Sequence, residues 1–293
     1  MFEIVLEVIG GIVVIAVLLV ILLLVSLKVQ SYMYDLKKVE GYRNYEKDLV
    51  YLHAFPRASA KQVPNISPFA IKLETWLRVH KLKYKLVETY KFSTKKSQIP
   101  FIMFNGEEIA DSQMIIQYLS KYFGLDDTEG LSAELQAASR AFRILIENSF
   151  SWTYFCYRYV HHYLLFKKVH QLPRGPFLNT LSRLMLKMGI NSNSRGAGIG
   201  RHTPQEIYAI GADDIRAISK FLGDKKYLCG DKITVVDCAV FGQLVQVSEV
   251  KSLPYPQRDV IESECPNVRT YIDRIKGEFW PDWTMLTSDG EFE

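Results

Sequence analysis

Cysteine is scarce and shows no paired spacing. Only Cys156, Cys229, Cys238 and Cys265 occur in 293 residues, and none stands in C-x-x-C register. That argues against a disulfide framework, a structural zinc site or a thiol-rich metal store. An excess of one charge is also missing. With 36 Lys and Arg against 32 Asp and Glu, the net charge is +4 and is spread along the chain. A charge so weak and diffuse points away from nucleic acid as a partner. No internal repeat is present, which removes solenoids. The adjacent His161 and His162 would point to different sides of a helix and make a poor metal pair, so no metal site is expected.

What the chain does have is one long apolar run. Ile4 to Leu27 carries a single charge, Glu7. A helix of that length spans roughly 36 Å, enough to cross a hydrocarbon core of about 30 Å. The run has no polar face, exceeds the ~7–15 residues of a signal-peptide core, and is followed by no A-x-A-like site. It is expected to be a single transmembrane anchor, residues 1–28, followed by a polar tether, 29–47. Upstream stand only Glu3 and Glu7, while Lys28, Lys37, Lys38 and Arg43 follow. The positive-inside rule then places the rest of the chain in the cytosol.

After the tether the pattern reads β-α-β-loop-β-β-α over residues 48–124. A strand is expected at Leu49–Phe55. Ser67 caps a helix that opens on Pro68 and runs to about His80, with Phe69, Ile71, Leu73, Trp76 and Leu77 on its buried face. A second strand fits Tyr84–Tyr90. Phe101–Phe104 and Glu107–Ala110 flank Asn105-Gly106, a two-residue hairpin signal. Asp111-Ser112 opens a helix that stops at Gly124. A linker, 125–131, leads to an all-helical part, 132–293. There the sequence predicts one aromatic-rich helix from Ser132 to about His170 and an apolar-basic helix near Phe177–Met188. A glycine-rich loop is expected at 189–202. The capping box Thr203-Pro204-Gln205-Glu206 begins another helix, and further helices fit 235–250 and 266–279. The stretch Lys167–Met188 reads as an extra packed helix or as one lying on a membrane surface.

Three patterns stand out, two at candidate binding positions and the third purely structural. Gln98-Ile99-Pro100-Phe101 precedes the hairpin, and an X-Pro bond can be cis at modest cost. Asp111-Ser112 stands at a helix N-terminus, where free N–H groups and positive potential suit a carboxylate. Gly230 to Asp237 forms a capping box, with Thr234 as cap, Asp237 answering from N3 and Ile233 packed before it. Each also has a purely structural reading: a loop proline, a plain N-cap, a helix start.

Together these patterns resemble the glutathione transferases: a thioredoxin-like α/β N-terminal domain followed by an all-α C-terminal domain. The resemblance implies that the backbone of Ile99, before a cis Pro100, pairs with the cysteinyl part of glutathione. It implies that Asp111 and Ser112 hold the γ-glutamyl end. Ser67-Pro68-Phe69 resembles the C-P-F start of cysteine-type members with Ser in place of Cys, so Ser67 is the implied thiol activator; as a plain residue it is an N-cap. Only eight residues, Lys91–Gln98, stand where typical members fit a helix and a binding loop. Lys95 and Lys96 could meet the glycyl carboxylate there or simply be solvated.

A narrower resemblance covers residues 48 to 284. Asn65-Ile66-Ser67-Pro68-Phe69, Lys72 to Thr75, Gly198 to His202 and Phe279-Trp280-Pro281-Asp282-Trp283 look like the failed-axon-connections family, on the metaxin-like side of the superfamily. The membrane helix and the length resemble the nematode cadmium-responsive proteins, which implies a stress or cadmium-response role, on lysosomal or other internal membranes. Asn65 to Ser67 is also a formal glycosylation sequon, read as accidental because Pro68 follows directly.

Three functions are then expected. One is a membrane-anchored transferase-like module with weak or no activity, binding glutathione or another small thiol. Another is an active transferase using Ser67, with glutathione as co-substrate and no resident cofactor. The third is a metaxin-like membrane adaptor working through protein partners or as a homodimer.

Overall fold

A computed structural model describes residues 45–57, 62–168 and 176–287. The expected anchor and most of the tether lie outside the described residues, as does part of the 57–67 loop. Among the described residues no helix is long and apolar enough to cross a membrane. Leu49–Glu293 forms one compact unit.

Its first half is a four-stranded sheet in the order β2-β1-β3-β4. Strand β1 (Val50–Ala54) runs parallel to β2 (Tyr84–Glu88), with helix α1 (Pro68–Val79) as the crossover. β3 (Phe101–Phe104) and β4 (Glu107–Ala110) complete the sheet antiparallel, in register from Phe101 opposite Ala110 to Phe104 opposite Glu107. Asn105 and Gly106 both take positive φ, 49° and 84°, as the tight hairpin needs. β2 ends at Glu88, two residues earlier than the sequence predicts. Helix α2 (Ser112–Phe123) stops on Gly124 in the left-handed region, φ 65°. The sheet core is Val50, Leu52, Leu73, Trp76, Ile102, Phe104, Ile115 and Leu119.

The helical half begins with α3 (Ala133–Ile144). It does not continue as one regular helix. A π-turn (Leu145–Phe150), the short α4 (Ser151–Phe155), a second π-turn (Cys156–His161) and a 3-10 turn (Tyr163–Lys168) follow. Then come α5 (Pro176–Gly196), α6 (Pro204–Leu222), α7 (Val235–Ser248), α8 (Pro256–Ser263), α9 (Pro266–Phe279) and α10 (Trp283–Leu286). The expected glycine-rich loop at 189–202 is a correction. The helix runs on to Gly196, because Ser194 bonds back to the Asn191 carbonyl at 3.0 Å and its turn-forming neighbours are accommodated in solvent. The break comes at Gly198, φ 95°. Helix α8 carries no expectation from sequence; Pro256 at its first turn starts it.

Helix α7 is buried on all sides from Val236 to Ser248, its few polar side chains included, so it forms the centre of the unit. It crosses α1 closely enough that a Cβ on Gly242 would stand 2.5 Å from the Pro68 carbonyl. The Thr234 N–H and hydroxyl both donate to Asp237 Oδ2, at 2.8 and 2.9 Å. Asp237 Oδ1 accepts from Leu228 N–H and from the Tyr271 hydroxyl. The FWPDW segment docks on α1. Trp280 Nε1 donates to Thr75 Oγ1 at 3.0 Å, and the Arg78 guanidinium lies 4.0 Å over the Trp280 ring while gripping Asp282 with two nitrogens. The Arg78 hydrogen bond holds the Asp282 carboxyl below its usual range.

Asn65 is buried, with its amide donating to the Phe55 carbonyl and its Oδ1 accepting from Ser67 N–H. Gln246 of α7 donates to the Asn65 carbonyl and accepts from Arg158. Asn65 therefore clamps β1, α1 and α7 together, and its amide is not presented to solvent.

Candidate functional site

A cleft of about 410 Å3 lies where the N-terminus of α2, the segment 98–100 and helix α3 with its π-turn meet. That is the size of a small-ligand pocket. One wall is Gln98, Ile99 and Pro100, and the Ile99–Pro100 bond is cis. The β3 ladder starts at Phe101, which leaves the backbone of Ile99 outside the sheet.

The floor is the start of α2. Asp111 is the N-cap, at φ 82°, and its Oδ1 accepts from Gln113 and Met114 N–H at 2.9 and 3.1 Å. Ser112 follows as the first helical residue, so its N–H has no intrahelical acceptor. Among the described residues its hydroxyl also has no hydrogen-bond partner, though the residue is 6% exposed. A helix N-terminus with two unspent donors at a cleft is a place for a carboxylate or phosphate oxygen.

The opposite wall is cationic. Arg140 is exposed at the rim, and Arg143 and Glu147 stand one and two turns on. Glu147 is held from two sides: Arg143 at 2.9 Å and the buried Lys72 of α1 at 2.6 Å. Lys72 Nζ also donates to Gln113 Oε1 at 2.8 Å. Burial pushes the Lys72 ammonium below its ordinary pKa, and the Glu147 carboxylate opposes that shift. This network ties α1, α2 and the π-turn together behind the cleft. It leaves Arg140 as a lining cation with no ion pair among the described residues. Glu147 stands within the π-turn, a kind of helix irregularity often found at sites.

The expected site residues divide into two groups. Ile99, Pro100, Asp111 and Ser112 converge on the cleft. Ser67 does not line it. Its hydroxyl is buried and accepts from Ala70 N–H at 3.3 Å, and the wall from this helix is Phe69. Phe69, expected on the buried face of this helix, is half-buried there. Lys95 and Lys96 are exposed and outside the lining. Their loop forms no helix; Glu108 gathers it by accepting from the Thr94 N–H and hydroxyl at 2.7 and 2.9 Å. His161 and His162 do not pair: His161 meets the Tyr208 hydroxyl at 2.7 Å, and His162 lies against the Tyr157 ring. Sequence reasoning missed Lys72, Glu147, Arg140 and Arg143. One signal was available, a lysine in the middle of the otherwise apolar run Pro68 to Leu73.

A thioredoxin-like sheet half, a helical half packed on its α1, and a cleft between cis-proline and a helix N-terminus define the glutathione transferase fold. Residues 68–164 match the family described as glutathione S-transferase N-terminal domain, and 211–275 match the glutathione S-transferase C-terminal domain. The chain is 36% identical over 256 residues to failed axon connections of Drosophila melanogaster, covering 83% of this chain and 61% of that protein. Over 67 residues, 23% of this chain and 21% of the other, it is 34% identical to a metaxin-1 homologue of Caenorhabditis briggsae. An isoprene-epoxide–glutathione S-transferase of Rhodococcus sp. strain AD45 is 24% identical over 74% of this chain and 94% of its own length. Among solved structures, apo glutathione S-transferase III superposes with a TM-score of 0.54 at 14% identity, covering 83% of this chain and 99% of that one; this likeness concerns the fold alone. The chain belongs to the metaxin-like branch of the glutathione transferase superfamily, together with failed axon connections.

Proposed function

We propose that the protein is a membrane-tethered glutathione-binding protein with little or no transferase turnover. One observation carries the reading: the donors of Ser112 and the backbone of Ile99 face a single cleft, while Ser67 lies outside it. The γ-glutamyl carboxylate would take the Ser112 hydroxyl and N–H, and the cysteinyl main chain would pair with Ile99. Arg140 offers a counter-charge for the remaining carboxylate. Ser112 is the only hydroxyl among the lining residues, and no Cys or Tyr joins it. A bound thiol therefore meets no second Ser, Cys or Tyr in this lining, the side-chain types with which transferases stabilise the thiolate.

The run 4–27 supports a single-pass anchor with the remaining chain in the cytosol, on an internal membrane such as the lysosomal one. A cadmium or stress response would then run through glutathione, whose thiolate is a soft ligand for such an ion. Among the described residues there is no cluster of three His, Cys, Asp or Glu able to hold a metal.

Calorimetric titration of the full chain in detergent with glutathione tests the reading. Millimolar or tighter binding is expected, with slow conjugation of a generic electrophile that Ser67→Ala leaves unchanged. No binding at millimolar glutathione would overturn the proposal. Efficient turnover that Ser67→Ala abolishes, with binding intact, would replace it by the active transferase.

A further inference from the structure

From Asn148 to Gln205 the chain contains no Asp or Glu, although 32 occur overall, while the same stretch holds eight Lys and Arg. It is also where large apolar side chains are left outside. Leu164 is 67% exposed, Met185 and Met188 65% each, and Leu184 45%. Positions 184, 185 and 188 share one face of α5.

This face is held outward by a well-fixed helix. Ser194, near the C-terminal end of α5, is fully buried. The turn Ile199–Arg201 packs so tightly on it that a Cβ on Gly200 would stand 2.3 Å from Ser194 Oγ. The basic groups flank the apolar face. Lys187 Nζ sits 4.3 Å over the Tyr163 ring, one residue from Leu164, and Arg195 and Arg201 are exposed further along. An apolar strip bordered by cations, in a segment with no acid, is complementary to a surface that is anionic outside and apolar beneath. A protein partner of that character would need an acidic rim around a greasy socket; a nucleic acid would leave the leucine and methionines in water.

We propose that α5 and the 3-10 turn before it dock on an anionic lipid surface, with Leu164, Leu184, Met185 and Met188 entering the headgroup boundary. The docking is separate from the cleft. It rests on the anchor reading only in that an anchor would keep a bilayer within reach.

The test uses the full chain in lipid nanodiscs, with Met185→Cys carrying a polarity-sensitive fluorophore. The four native cysteines are buried, which directs the label to position 185. In discs containing phosphatidylserine the emission should shift to the blue relative to discs of phosphatidylcholine alone. Leu184→Glu with Met188→Glu should abolish the shift, Lys187→Glu with Arg195→Glu should weaken it, and salt should reverse it in part. A thermal melt matching the parent reports that each variant is folded. Equal emission in both discs would overturn the proposal. So would a blue shift in detergent that grows with protein concentration, which would mark a second copy on this face, or one produced by added RNA and absent with anionic discs. A chain that does not co-purify with discs would remove the anchor reading. The same chain then reports docking by flotation, where retention on anionic vesicles alone supports it and loss from both overturns it.

Discussion

Replacing Ser112 by Ala separates ligand binding from folding at a single atom. The Ser112 hydroxyl has no intramolecular partner among the described residues, and the N-cap bonds of α2 belong to Asp111. Removing the hydroxyl therefore leaves the helix start intact, and alanine is itself a good helix former. A hydrogen bond to a charged group is worth about 1.5–3 kcal/mol. At about 1.4 kcal/mol per decade, Ser112→Ala should weaken glutathione binding roughly 10- to 150-fold. The melting temperature should stay within about 2 °C of the parent. Asp111→Ala is the contrasting variant. It removes a cap and places Ala at φ 82°, so it should cost about 1–2 kcal/mol of stability as well as affinity. Calorimetry gives the dissociation constants and a thermal melt gives the stabilities. A Ser112→Ala dissociation constant within twofold of the parent would refute the assignment of the carboxylate site. A melt as low as that of Asp111→Ala would refute the claim that the hydroxyl is idle in folding.

The remaining predictions concern the frame of the cleft. Glu147→Gln strands a buried Lys72 cation and should cost about 3–5 kcal/mol at pH 7. Lys72→Met should cost less, because Arg143 still pairs Glu147. Without Glu147 the already depressed Lys72 pKa falls further. Stability from such a group rises with pH toward its unfolded value of 10.5, so the Glu147→Gln deficit in denaturant melts should shrink from pH 7 to pH 10. Gly242→Ala forces a methyl into the Pro68 carbonyl and should cost about 1–3 kcal/mol, read as a lowered thermal midpoint. Burial raises the Asp214 carboxyl from 3.8 to about 6 despite a 2.8 Å bond from Ser149. Its raised pKa means stability is lost as pH climbs through that window. Asp214→Asn should therefore stabilise the protein at pH 7.5 by about 1–2 kcal/mol after screening, with the gain fading below pH 4.

Much of the fold was legible because its signals are local. Ser67-Pro68, Asn105-Gly106, Gly124 and Thr203 to Glu206 each satisfy or reverse the chain within a few residues, and each does so in the structure. The alternation of strands and helix around Pro68 made the sheet half readable in the same way. The errors fell where tertiary packing outweighs local preference. The asparagines and serines of 191–194 favour a loop by themselves, but Ser194 is locked against Gly200 and the helix continues. Nothing in the aromatic run after Ser132 marks the π-turns at 145–150 and 156–161, because these re-aim side chains toward partners far away in sequence.

For the candidate site the division is sharper. By itself the sequence determined two backbone features that border the cleft: a proline before a strand, and a helix that starts at Asp111-Ser112. It also determined the apolar run at 4–27. Only the tertiary structure decided which groups share a cleft. It left Ser67 outside the cleft lining, its hydroxyl accepting from Ala70 N–H, and placed Arg140, Arg143 and Glu147, some thirty residues further on, in that lining. The reason is physical: a cap or a turn is closed by neighbours in the chain, whereas a buried lysine such as Lys72 must find its carboxylate wherever the fold places one, here 75 residues away.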